Sequence, residues 1–76
     1  MRVEEFKIER PNLVTVGQEV EIVEKNTIAF YYYIIVPALA MSGNFPFGKR
    51  IKSTKGKVVK LYENEKGLFA DVEFEN

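Results

Sequence analysis

Residues 26–48 form a run of twenty-three positions without a charge in a chain of 76, and water leaves such a run few places to go. Its first part holds Ile28, Phe30, Tyr31, Tyr32, Tyr33, Ile34, Ile35 and Val36, the β-branched and aromatic types that fit a pleated surface. One long strand over residues 27–36, covered on both faces, is the expectation, because an uncovered strand of this composition invites aggregation. A membrane-spanning helix does not fit. Only residues 28–41 are solidly apolar, fourteen positions with Pro37 among them, against the ~20 that a bilayer requires. No membrane span is expected.

The flanking segments read as further strands. Val20 and Ile22 alternate with Glu19 and Glu21, the pattern of a strand with one wet face, and Lys25 with Asn26 is expected to turn the chain. Phe6, Lys7, Ile8 and Glu9 alternate more briefly before Pro11 and suggest a short edge strand. Residues 57–62 and 68–75 flank a polar segment ending in Gly67, a hairpin signal, with Leu68, Ala70, Val72 and Phe74 on one face and Phe69, Asp71, Glu73 and Glu75 on the other. Pro37, Ala38, Leu39, Ala40 and Met41 have the proline-first composition of a single helical turn, stopped at Ser42 and Gly43. The chain turns strand-like again from Lys49 through Ile51.

Five or so short strands in a chain this size are expected to close into a barrel and so hide their edges. Three segments carry a resemblance: residues 17–22 (Gly17, Val20, Ile22), residues 56–61 (Gly56, Val58, Leu61) and residues 70–74 (Ala70, Val72, Phe74). They look like the first strand and the closing hairpin of SH3-like small β-barrels, the KOW and Tudor-type group, and cover less than half of the chain. The resemblance implies an all-β, five-stranded SH3-like barrel with one short helical turn, a single domain over residues 1–76. The uncharged insert of residues 28–48 departs from that pattern, so no binding residue carries over from the group.

Composition narrows the chemistry. Histidine and cysteine are absent, which removes the usual base at neutral pH, the thiolate nucleophile and the common zinc ligands. Ser42, Ser53, three threonines, one aspartate and ten glutamates remain, with no acid, base and nucleophile at a spacing that suggests a catalytic set. The expectation is a non-enzymatic protein that needs no cofactor or metal. Its first two dozen residues hold nine charges and no apolar run, so no secretory signal is read and a cytoplasmic setting is expected.

Two surfaces stand out as binding candidates. Tyr31, Tyr33, Phe45 and Phe47 are placed as walls of an aromatic groove around the loop of residues 37–48, suited to a protein or peptide segment; the competing assignment folds Phe45 and Phe47 back to plug the barrel end. The second candidate is basic. Residues 1–24 hold three bases against six acids, residues 25–60 seven bases and no acid, residues 61–76 one base against five acids. Lys49, Arg50, Lys52 and Lys55, with Lys57 and Lys60 beyond them, would suit single-stranded nucleic acid if they stay unpaired. Pairing in the final hairpin would cancel part of that field, with Lys60 opposite Asp71 in one register, or Lys57 and Lys55 opposite Glu73 and Glu75 in the other. Self-association into a homodimer is a third expectation, a second copy covering whatever edge or aromatic patch is left open.

Overall fold

A computed structural model of the protein describes residues 1–10, 12–36 and 40–75. Six antiparallel strands, β1 (Arg2–Ile8), β2 (Glu19–Asn26), β3 (Tyr31–Val36), β4 (Ala40–Ser42), β5 (Lys55–Asn64) and β6 (Gly67–Phe74), close into a barrel in the order β1-β4-β3-β2-β5-β6. The all-β barrel expected from the sequence is present with six strands rather than five.

The additional strand is β4, which lies where a helical turn is expected. Pro37, Ala38 and Leu39 fall outside the described residues, but Ala40 and Met41 are extended. Tertiary packing outweighs local helix propensity here: Ala40 fills a buried inward position, and the Ser42 hydroxyl accepts the Tyr33 amide at 2.9 Å. The helical turn among the described residues is a 3-10 turn at Phe47–Lys49. Lys49 through Ile51 forms no strand; Ile51 is instead a buried plug.

Two further corrections concern β1 and the β2–β3 turn. β1 is no edge, since it pairs with β4 from Phe6 to Ile8 and with β6 along its whole length. The turn falls two residues later than Lys25 and Asn26, which pair with Tyr32 and Tyr31. Thr27 sets its place: its amide donates to the Phe30 carbonyl at 2.8 Å, and its hydroxyl accepts the Phe30 amide at 3.1 Å. A threonine side chain closing a turn in this way substitutes for a further rung of the ladder.

Inward positions build the core, of which Phe6, Tyr33, Ile35, Val58, Val72 and Phe74 are the largest fully buried members. Ala70, Val72 and Phe74 point inward as the alternation requires. Phe69 lies on the outer face yet is nearly covered, its ring stacked on Tyr62 at 5.5 Å. β5 and β6 are in register as Lys60 with Asp71 and Tyr62 with Phe69, then shift by one at Val59, so that Val58 meets Val72 and Lys57 meets Glu73. A bulge of this kind inserts one residue without turning the ladder inside out. It joins the two registers that the sequence offers as alternatives.

Candidate functional site

The mouth of the barrel holds the polar side chains that point inward. Arg50 grips Glu24 through two hydrogen bonds, Nε to Oε2 at 3.0 Å and Nη2 to Oε1 at 2.7 Å, while its guanidinium lies 4.6 Å from the Tyr31 ring centre. The Tyr33 hydroxyl donates to Glu24 Oε2 at 2.9 Å and accepts the Ile51 amide at 2.8 Å. Arg2 bonds Glu4 and the carbonyls of Lys49 and Arg50, and its guanidinium sits 5.2 Å from the Phe45 ring centre. Three chain segments are therefore tied together by two arginines.

The charges respond to this arrangement. Arg50 holds the Glu24 carboxyl below its ordinary 4.5, with burial working against it and the Tyr33 hydrogen bond helping. Burial, followed by the hydrogen bond to Glu24, raises the Tyr33 hydroxyl above 10. Because the Glu24 value is depressed on folding, its contribution to stability is present above 4.5 and lost as pH falls through the folded value. Urea midpoints measured between about pH 5 and pH 2 should accordingly fall less steeply for Glu24→Gln than for the parent chain. Equal slopes would show that the pair adds nothing.

This network fills the place given to the aromatic groove. Tyr33 is 1% exposed and belongs to the core. Phe45 is half-buried against Tyr33 at 5.8 Å and bridges to Tyr31 through paired backbone hydrogen bonds of 2.9 and 2.7 Å. Tyr31 is half-buried beneath Arg50. Phe45 thus plugs the barrel end; the side chain of Phe47 lies outside what is described.

The basic segment is dispersed as well. Arg50 is engaged by Glu24. Lys55 stands opposite Glu21, Lys57 between Glu19 and Glu73, and Lys60 opposite Asp71. Lys49 and Lys52 remain exposed at the loop surface, too short a track for a nucleic-acid backbone. Among the described residues no three acidic side chains converge on a point that could hold a metal ion. None of the helices among them is long and apolar enough to cross a membrane.

A surface not singled out in the sequence is the outer face of β3. Since Tyr31, Tyr33 and Ile35 point inward, Tyr32, Ile34 and Val36 point outward, and Phe30 continues their parity into the turn. Val36 is exposed, and Tyr32 and Ile34 are half-buried. Across the sheet Ile34 stands between Val23 of β2 and Met41 of β4, and Val23, Val36 and Met41 are 42%, 42% and 51% exposed. Ile28 projects fully exposed from the turn, with Phe30 beside it. Beyond Met41 a shallow groove lined by Lys7, Leu68 and Phe69 extends the apolar surface.

This corrects the expectation of a strand covered on both faces. A closed barrel has one interior, and each of its strands turns the other face outward.

No family model, curated protein or solved structure matches the chain. Isolated exposed apolar residues are ordinary, but a contiguous set on one sheet face marks an interaction site. Ladder pairing of β3 with β2 and with β4 keeps the set in place. Such a face can bind an apolar segment by exclusion of water.

Proposed function

We propose that the protein is a non-enzymatic binding module that recognises a protein or peptide segment through the outer face of β2, β3 and β4. One observation carries the reading: the outward side chains of β3 are two aliphatics and a tyrosine, Val36 exposed and Tyr32 and Ile34 half-buried, and exposed Val23 and Met41 flank them. Against the nucleic-acid alternative stand the acids in register with Lys55, Lys57 and Lys60 and the ion pair of Arg50 with Glu24. Membership of the SH3-like group and a cytoplasmic setting are part of the same proposal, the first resting on residues 17–22, 56–61 and 70–74 alone.

Peptides selected from a random displayed library on the immobilised protein provide the test, followed by amide-resolved NMR titration of the selected sequences. Shifts are expected at Val23, Tyr32, Ile34, Val36 and Met41, with affinity reduced about tenfold or more by Ile34→Asp, since a charge at the centre of an apolar contact must be desolvated. A mixed-sequence single-stranded oligonucleotide at low salt serves as the second arm and should leave Lys49 through Lys60 unshifted. Selected peptides that map to the Arg50 end, or oligonucleotide shifts abolished by salt, would replace this reading with one of the two others.

A further inference from the structure

The same face has a charge pattern that specifies its occupant. Along β2 the outward positions are Glu19, Glu21, Val23 and Lys25, so an acid and a base stand two residues to either side of Val23. The neighbouring outward positions of β3 run the other way, Val36 beside Glu21, Ile34 beside Val23 and Tyr32 beside Lys25. Met41 then continues the row of Val23 and Ile34 onto β4. From Glu21 to Lys25 the pattern is antisymmetric in charge about that central row.

We infer that the face is covered by a second copy of this chain, packed through a two-fold axis lying in the interface along the row Val23, Ile34, Met41. This inference rests on the protein-binding reading and makes it specific. Rotation about such an axis reverses strand direction while turning one sheet face onto the other. Each residue of the row meets its own copy, Tyr32 of each chain meets Val36 of the other, and Glu21 of each meets Lys25 of the other. Two opposite-charge pairs form at once, and no like charges are opposed on β2 and β3.

Other placements lack this match. An axis parallel to the strands would lay β2 over β4 and leave Glu21 and Lys25 without counterparts, because the outward residue of β4 between Ala40 and Ser42 is Met41. Addition of the second copy at a strand edge is disfavoured by closure of the barrel, whose strands already have neighbours on both sides. Face-to-face packing at about 10 Å is the geometry that uses outward side chains.

Lys7 of β1 lies next along the row beyond Met41, and closure of the barrel turns β1 and β5 away from the partner, so that Lys7 is kept from its copy and contact is confined to β2, β3 and β4. That patch falls short of the ~800 Å² per partner typical of stable complexes, and the dimer is accordingly weak and concentration-dependent. Net charge zero places no long-range repulsion between copies.

Sedimentation equilibrium of the whole chain from about 10 µM to about 1 mM tests the inference. The parent protein should shift from monomer to dimer across that range. Glu21→Lys opposes two lysines twice by symmetry, and Lys25→Glu opposes two glutamates twice; each should weaken association about tenfold or more. Two rescues are expected. The double variant Glu21→Lys with Lys25→Glu restores both pairs within a homodimer, and an equimolar mixture of the two single variants restores them in a heterodimer. The mixture controls for altered folding, since neither protein changes between the separate and the mixed samples. A parent chain that stays monomeric at about 1 mM, single variants that dimerise unchanged, or a mixture without rescue would each overturn the two-fold. Should the chain be monomeric while selected peptides still bind at Ile34, the second copy is refuted and the binding module stands; if neither occurs, both readings fall.

Discussion

Gly56→Ala should remove about half of the domain's stability. Gly56 occupies an inward position on β5, opposite Val20, and an added Cβ would lie 2.6 Å from Val72 Cγ1 and 2.6 Å from Phe74 Cε1. Both neighbours are fully buried, so neither can swing aside into water. Overpacking of this kind costs about 1–3 kcal/mol, in a chain whose size supports only about 3–5 kcal/mol of net stability. Urea denaturation should show the midpoint reduced by roughly half with the slope unchanged, and Gly56→Val should not fold. Gly43→Ala and Gly48→Ala are the controls, because nothing lies within 4 Å of either added carbon. A parent-like midpoint for Gly56→Ala would mean that β5 and β6 are not packed as described.

Tyr33→Phe carries the second largest expected effect. The ring stays, but the buried Ile51 amide loses the acceptor at 2.8 Å and Glu24 loses a donor at 2.9 Å. Leaving a buried donor unsatisfied costs about 1–3 kcal/mol. The loss should also be local: amide exchange at Ile51 should accelerate more than at Val58 or Val72, because the loop of residues 50–54 is tied to the barrel through this hydroxyl. Unchanged protection at Ile51 would assign the anchor to the Arg50 and Glu24 pair instead.

Strands whose two faces differ in polarity were readable from sequence. Val20 and Ile22 set against Glu19 and Glu21, or Val72 and Phe74 set against Asp71 and Glu73, mark both the strand and its inward face. β3 gives no such mark. With tyrosine, isoleucine and valine on both faces, alternation cannot separate a covered side from an interaction side, and that is why the candidate surface is hidden in the most apolar part of the chain. β4 fails to register for another reason: three residues with alanine and methionine among them show helix propensity, and only the gap between β3 and β1 makes them extended. The mouth cluster was equally invisible, since Glu24, Tyr33 and Arg50 come from separate segments and no spacing rule joins them.

Pairing of β1 with β6 has a consequence for biosynthesis. The first strand of the barrel cannot find its partner along Arg2–Ile8 until Gly67–Phe74 has been made, whereas β2, β3 and β4 can pair with one another as soon as they leave the ribosome. Local hairpins form in microseconds, far faster than translation at about 5–20 residues per second. The nascent chain therefore passes through a stage in which the three-stranded meander exists without its barrel. At that stage the inward side chains of Tyr33 and Ile35 are as uncovered as the outward ones, and the tyrosine-rich strand presents apolar surface on both sides to whatever is nearby. The window closes only when the last hairpin arrives.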